Sequence, residues 1–177
     1  MRLARQLARS DTGTVAVEFA FIAPIMILMF LGTIELCNAL IARQKVTTVA
    51  ASAADLVAQS KSISGSQVND IFTAIGAIMY PYPTSGSQII ISSIKEDSAH
   101  AGQYVIDWSV AQNTTAHSPG QSITIPSGIV TSGGSTILAE ISYVYTPPSN
   151  AVIPSSFTMS DTFYARPRLS SFVAYSP

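Results

Sequence analysis

The chain has 177 residues, which is enough for one ordinary domain with a short appendage. Only 11% of the residues are charged, the formal net charge is −1, and no basic stripe runs along the chain, so the composition argues against nucleic-acid binding. The single cysteine, Cys37, excludes a disulfide within one chain.

A short basic leader precedes a long apolar run at the N-terminus. The run from residue 14 to residue 34 has 21 residues with one charge among them, Glu18. As a helix rising about 1.5 Å per residue it spans about 31 Å, the thickness of a bilayer's hydrocarbon core. We therefore predict a transmembrane segment over residues 14–42, with a tolerated Pro24 inside it. The leader carries three arginines, Arg2, Arg5 and Arg9.

The arginines of the leader set the predicted orientation. They outnumber Arg43 and Lys45, the two basic residues just after the run, and basic residues favour the cytoplasmic side. The N-terminus is then cytoplasmic, and residues 43–177 form a domain on the other side of the membrane.

Placing the carboxylate of Glu18 in this position is energetically unfavourable. A carboxylate at membrane depth costs about 2.5–3.5 kcal/mol unless it meets a partner, and no Lys, Arg or His lies within two helical turns. Cutting the bond between Gly13 and Thr14 would free an α-amino group one turn from Glu18. Gly13, which lacks a Cβ, admits a protease and is expected to interrupt the helix just before the run. The new amine and Glu18 could pair within one copy or between neighbouring copies.

This arrangement resembles the N-terminal signal of type IV prepilins, in which a basic leader ends at glycine and a glutamate stands fifth in the mature chain. Here Thr14 is first, Glu18 is fifth and Phe19 follows. The stretch from residue 13 to about residue 60, with "AVEFAFIAP", Glu35 and "VTTVAASAADL", resembles the TadE-like family of minor pilins, or pseudopilins, from Tad (Flp) type IV pilus systems. The closing "YARPRLSSFVAY" resembles the C-terminal end of that family.

The resemblance implies a structural subunit required for pilus assembly, without catalytic residues, cofactor or metal. Residues 1–13 would be a prepilin-type leader, Gly13 and Thr14 the processing site, and Glu18 and Phe19 the assembly residues. The implied partners are a prepilin peptidase, other major or minor pilins, the inner-membrane assembly platform and membrane lipid. The implied location is the bacterial inner membrane, with a single span, a periplasmic C-terminal domain and possible incorporation into a surface pilus.

Helical spacing of apolar residues continues the first helix to about Gln59, through the alanine-rich "VTTVAASAADLVAQ". This stalk is amphipathic, and we expect it to pack within its own domain, with a contact to another subunit as the alternative. A second helix is predicted over "QVNDIFTAIGAIM", with Ser66 as its N-cap and its end before Pro81.

Strand patterns dominate the chain beyond Gly86. In "ILAEISYVYT" the alternate apolar and tyrosine residues form one face, which an antiparallel sheet can bury against the stalk. We predict an α+β, pilin-like fold in which a long N-terminal helix packs on a small antiparallel sheet. The predicted strands are "SQIIISSIKE", "QYVIDWSVAQ", "STILAEISYVYTP" and "DTFYARPRLSSFVAY", with "QSITIPSG" as a short edge piece.

The remaining polar candidates favour structural roles. Arg166 and Arg168 flank Pro167 on one face of a predicted strand, as a structural pair or as a contact with another pilus subunit. Glu35 is expected on a solvated helix face, with a position at the outer interface of the membrane as the alternative. Cys37 is expected to be a small packing residue. Two histidines are expected in solvated loops and two acids on exposed strand faces: His100, His117, Asp107 and Glu140.

Two other functions stay open from the residues alone. The first is an uncleaved, single-pass membrane anchor that carries an extracytoplasmic binding module. The second is an anchored enzyme, which the sequence disfavours because it contains neither a Gly-x-Ser-x-Gly elbow nor a phosphate-binding loop.

Overall fold

The structure is a computed structural model and describes residues 11–100, 102–130, 133–149 and 152–177. In chain order its elements are helix α1 (Asp11–Ala58), strand β1 (Ser62–Ser64), helix α2 (Gly65–Met79), a 3-10 turn (Thr84–Gly86), and strands β2 (Ser87–Glu96), β3 (Tyr104–Gln112), β4 (Ser122–Ile123), β5 (Ser135–Tyr145), β6 (Phe157–Ala165) and β7 (Ala174–Ser176).

The chain divides into two compact units, and helix α1 contributes to both. The first unit holds the helix up to Leu40 together with the segment Thr146–Ser156. The second unit holds Ile41–Tyr145 and Phe157–Pro177, and therefore the strands and helix α2.

The second unit contains a five-stranded antiparallel sheet in the order β4-β3-β2-β5-β6. Strand β5 pairs with β2 on one side and β6 on the other, so the longest strand lies inside the sheet. Strands β1 and β7 form a separate parallel pair. The predicted α+β fold, a long N-terminal helix on an antiparallel sheet, is confirmed.

One face of strand β5 belongs to the core, as the alternation predicted. Its inward residues are at most 3% exposed: Ile137, Ala139, Ile141, Tyr143 and Tyr145. The stalk part of α1 contributes small apolar residues to this unit, each at most 2% exposed: Ala42, Val46, Val49, Ala50, Ala53, Ala54, Val57 and Ala58. Because these side chains are buried in the second unit, the predicted packing of the stalk within its own domain is confirmed.

The opposite face of the sheet carries a second apolar cluster that the sequence did not indicate. Ile94, Ile106 and Leu138 from three strands pack with Ile125 and Val130, which come after β4. The predicted edge piece "QSITIPSG" is therefore a strand only at Ser122–Ile123, and the residues that follow help to cover the sheet.

Helix α2 begins two residues earlier than predicted. Ser64 is its N-cap, because the Ser64 hydroxyl accepts the Gln67 N–H at 3.4 Å and the Gln67 side chain accepts the Ser64 N–H at 2.9 Å. This reciprocal capping box needs Glu or Gln three residues after the cap. Ser66 has Asn69 at that position, so the prediction of Ser66 was wrong.

The closing segment is not one strand. Strand β6 begins at Phe157 and ends at Ala165, and β7 covers only Ala174–Ser176. Pro167 has no N–H to donate to a ladder, and the Arg168 N–H donates instead to the Ala58 carbonyl at 2.8 Å. The prediction that Arg166 and Arg168 share a strand face was therefore wrong.

Candidate functional site

The first part of helix α1 is covered by large apolar side chains that remain exposed. One helix, Gly13–Ala58, is long and apolar enough to cross a membrane, and its most apolar stretch has a mean hydropathy of 2.3 with no part buried. We call the exposed set the apolar sleeve: Val15, Val17, Phe19, Phe21, Ile22, Ile25, Met26, Ile27, Leu28, Met29 and Phe30. The helix continues through Pro24.

The predicted processing and assembly residues lie at the N-terminal end of this sleeve. Gly13, Thr14, Glu18 and Phe19 are all exposed on α1. Because the helix already includes Asp11, Gly13 does not interrupt it; one glycine costs a helix only about 1 kcal/mol, so that expectation was wrong. Among the residues that the structure describes, no hydrogen-bond or ion-pair partner is found for Glu18. Processing and charge pairing stay predictions.

Glu35 is the buried polar residue of the first unit. Only 1% of Glu35 is exposed, and its Oε2 accepts the backbone N–H groups of Val152 at 3.0 Å and Ile153 at 2.8 Å. The Ser149 hydroxyl donates to Oε1. The expectation of a solvated helix face was wrong, because a later segment of the chain brings backbone donors that satisfy this carboxylate.

We call the segment Thr146–Ser156 the Glu35-bound loop. Its residue Val152 lies against helix α1 at Gly32. A Cβ at Gly32 would lie 3.0 Å from Val152 Cγ2, so the glycine leaves room for that side chain one turn before Glu35. The loop contains no charged residue. The partners of Glu35 are backbone N–H groups, and every residue type except proline has one. Residue types alone therefore could not predict which of these groups Glu35 contacts.

Cys37 is exposed on the same helix. The expectation that it packs in a core was therefore wrong. Its neighbours on the buried side of the helix are instead Glu35 and Ala39, at 1% and 7% exposure.

In the second unit, polar contacts connect the stalk part of α1 to strand β6. Thr47 donates to Asp161 at 2.5 Å, and Arg43 donates to the Ser160 carbonyl at 2.5 Å and lies 3.6 Å from Asp161. The Thr47 hydrogen bond, helped by the Thr162 N–H and the charge of Arg43, lowers the pKa of Asp161. Lys45 donates to the Ile78 carbonyl at 2.8 Å, which connects the stalk to α2. No sequence pattern singled out Asp161.

Arg166 and Arg168 both make contacts within the chain. Arg166 donates to the Ile129 carbonyl at 3.0 Å and to the Gly128 carbonyl at 2.6 Å. The Arg168 guanidinium pairs with Asp55 on the stalk. These contacts match the structural-pair interpretation, and a subunit contact stays a prediction because the Arg168 side chain is still 62% exposed.

The two histidines are paired with acids. His117 Nε2 lies 2.7 Å from Glu140, with 24% of the His117 side chain exposed, so the expectation of a solvated loop histidine was wrong there. His100 is 65% exposed and lies 2.7 Å from Asp97. Asp107 pairs with Lys95 at 2.5 Å. Over the described ranges, no group of three or more His, Cys, Asp or Glu side chains could hold a metal ion.

A known family resembles the helix that carries the apolar sleeve, Glu18, Glu35 and the start of the stalk. Residues 13–55 match the family model of TadE-like proteins. The resemblance is thereby confirmed over the helix, and the match suggests a pilin-like protein associated with a Tad pilus. Comparisons with curated proteins and with solved structures found no match. The TadE-like match, like the apolar sleeve, supports anchoring by a single N-terminal helix.

Proposed function

We propose that this chain is a minor pilin-like subunit required for assembly of a Tad (Flp) pilus. The observation that carries the proposal is that the TadE-like match covers residues 13–55 of α1, whose first part presents exposed apolar side chains. Such a helix can be surrounded either by lipid or by the helices of other pilins. During assembly its contacts with lipid are replaced by contacts with other pilin helices.

Processing between Gly13 and Thr14 makes this exchange specific. The cut leaves an α-amino group one helical turn from Glu18, which is exposed on the sleeve. In a low-dielectric surrounding an unpaired charge is costly, so the amine of one subunit and the carboxylate of another favour a single stagger between neighbouring helices. Phe19 lies next to Glu18 and adds apolar contact at the same level.

The proposed partners are those that the TadE-like resemblance implies. The leader faces the cytoplasm, where a membrane prepilin peptidase removes it, and the inner-membrane assembly platform receives the mature helix. The rest of the chain lies in the periplasm, and other major or minor pilins pack against the sleeve. Before assembly, membrane lipid covers the sleeve.

Sequencing the mature N-terminus tests the processing step. We expect mass spectrometry of the membrane-bound protein from cells with the peptidase to find a chain that begins at Thr14. Cells without the peptidase provide the control and should retain Met1. A Met1 start in both strains would contradict the proposal and favour the alternative, an uncleaved anchor that carries a periplasmic binding module.

The variant Glu18→Ala tests the assembly step separately. Insertion and cutting should continue, while piliation falls at least tenfold because the amine has lost its partner. Glu96→Ala is the matched control, since Glu96 accepts the Gly102 N–H in the turn after β2, far along the chain from the sleeve. Normal piliation with Glu18→Ala would show that charge pairing does not guide assembly.

A further inference from the structure

The first unit presents a surface without exposed charge at the C-terminal end of the apolar sleeve. Between Phe19 and Ala42 the sequence has one charged residue, Glu35, and the structure buries it. The Glu35-bound loop adds no charge, and neither do the residues that follow it up to Ser160. The backbone N–H groups of Val152 and Ile153 already donate to Glu35, so these two groups do not need water as an acceptor.

Apolar side chains of the loop and helix remain exposed on this surface. Val152 is 47% exposed although it packs against Gly32, and Pro154 is also exposed. On the helix, Leu36 and Leu40 are 57% and 61% exposed, beyond the level of Glu35. The exposed apolar surface therefore continues past the predicted hydrocarbon span of residues 14–34.

The length of the exposed apolar part of the helix indicates what covers the residues beyond the hydrocarbon span. From Val15 to Leu40 the helix has 26 residues, or about 39 Å at about 1.5 Å per residue. The hydrocarbon core of a bilayer is about 30 Å thick, and the bilayer with its headgroup regions is about 40–45 Å thick. If residues 14–34 fill the core, residues 35–40 lie in the headgroup layer. The loop bound to Glu35 then lies at the same depth.

We propose that the Glu35-bound loop is a lipid-contacting surface that rests in the headgroup layer of the periplasmic leaflet, with Val152 directed into it. Glu35 tethers the loop to the helix at this depth. The proposal goes beyond the pilus function and rests only on its membrane-spanning helix. It assigns the loop to the membrane before assembly, whichever subunits the sleeve later meets.

Because the Glu35-bound loop carries no charge, it should not need anionic lipids to contact the membrane. Binding to anionic headgroups in proteins depends on Lys and Arg, each worth about 1 kcal/mol near a charged surface. The loop has neither. A zwitterionic phosphatidylcholine bilayer should therefore hold the loop as well as a bilayer that contains phosphatidylglycerol.

Depth measurement with a fluorescent label tests the proposal on the full chain in phosphatidylcholine vesicles. In a Cys37→Ser background, Val152→Cys carries an environment-sensitive fluorophore, and nitroxide lipids quench it from the headgroup or from the middle of the acyl chain. We expect at least twofold stronger quenching by the headgroup nitroxide. The same result is expected with a quarter of the lipid replaced by phosphatidylglycerol.

Three further labels serve as controls. Ile25→Cys should be quenched more by the mid-chain nitroxide, and Ser98→Cys, exposed in the turn after β2, should be quenched by neither. Ser155→Cys repeats the loop measurement at an exposed residue in case replacing Val152 loosens its contact with Gly32.

The outcomes separate this inference from the pilus function. Quenching at Ile25 but not at Val152 or Ser155 overturns the loop assignment and leaves the span intact. Quenching at none of the three positions overturns the span as well. A loop label that reports an apolar surrounding without lipid quenching, increasing with protein density, shows that a second copy covers the loop and overturns its assignment to lipid. Dependence on phosphatidylglycerol overturns the assignment to neutral headgroups.

Discussion

Helix α1 places two very different surfaces on one continuous element. Between Val15 and Phe30 its large apolar side chains are exposed, whereas between Ala42 and Ala58 its valines and most of its alanines are buried in the second unit. Both parts are apolar, so hydrophobicity alone does not decide which part packs inside its own chain. The small side chains are packed inside the second unit, while the bulky ones suit lipid or another helix. The same charge change should therefore have opposite consequences in the two parts.

The largest expected effect comes from a charge placed in the buried part. Val46 is completely buried, so Val46→Asp puts an uncompensated carboxylate into the core and should lower the free energy of unfolding by about 4 kcal/mol. Urea denaturation of the full chain in detergent, followed by the fluorescence of Trp108, measures this.

The matched change in the sleeve is Ile25→Asp, at a residue that is 62% exposed. It should leave the unfolding of the second unit unchanged and instead cost about 2.5–3.5 kcal/mol of membrane insertion. Equal destabilisation of the second unit by both variants would show that the two parts of α1 do not differ as described.

The next effect concerns the contact within the first unit. Glu35→Ala leaves the N–H groups of Val152 and Ile153 without their acceptor, at a cost of about 2 kcal/mol. Amide hydrogen exchange at these two residues should become about 30-fold faster. Glu18→Ala is the control, because Glu18 is exposed in the same helix, and it should leave both rates unchanged. Unaltered exchange in Glu35→Ala would contradict the tethering of the loop.

A smaller effect is expected where the stalk meets β6. Asp161 has a lowered pKa because Thr47 donates to it, so its ionised form stabilises the fold above the ordinary pKa of 3.8. That contribution is lost as the pH falls through the folded-state pKa. Asp161→Asn should lower the free energy of unfolding by about 0.5–1 kcal/mol at pH 7. The difference from the wild type should shrink below pH 3.8, and a constant difference down to pH 2 would argue against this origin.

The smallest effect is expected at the stalk's ion pair with the closing segment. Arg168→Ala removes the pair with Asp55, but the Arg168 side chain is 62% exposed, so the loss should be about 0.5 kcal/mol. The backbone contact from the Arg168 N–H to Ala58 remains. If the variant abolishes piliation while stability changes this little, Arg168 contacts another subunit as well as its own chain.

Much of the fold could be predicted because it depends on local periodicity. The apolar run, the alanine-rich stalk and the alternation in β5 each repeat with the spacing of a helix or a strand. Gly13, Thr14 and Glu18 lie on one helix, as their spacing predicted, while their roles in processing and assembly stay predictions. The N-cap of α2 was also within reach, since Ser64 and Gln67 form the capping-box pattern that Ser66 and Asn69 do not.

The sequence by itself determined that a long apolar helix lies near the N-terminus, that an acid stands near the start of this helix, and that a strand-rich domain follows. Those features depend on residue types a few positions apart. Only the tertiary structure decided that Glu35 is buried, since its donors come from more than a hundred residues later in the chain. It also decided that the closing segment splits into β6 and β7, because β7 pairs with the distant β1. Contacts between residues far apart in the chain leave no periodic pattern, and they determine which polar groups can be buried.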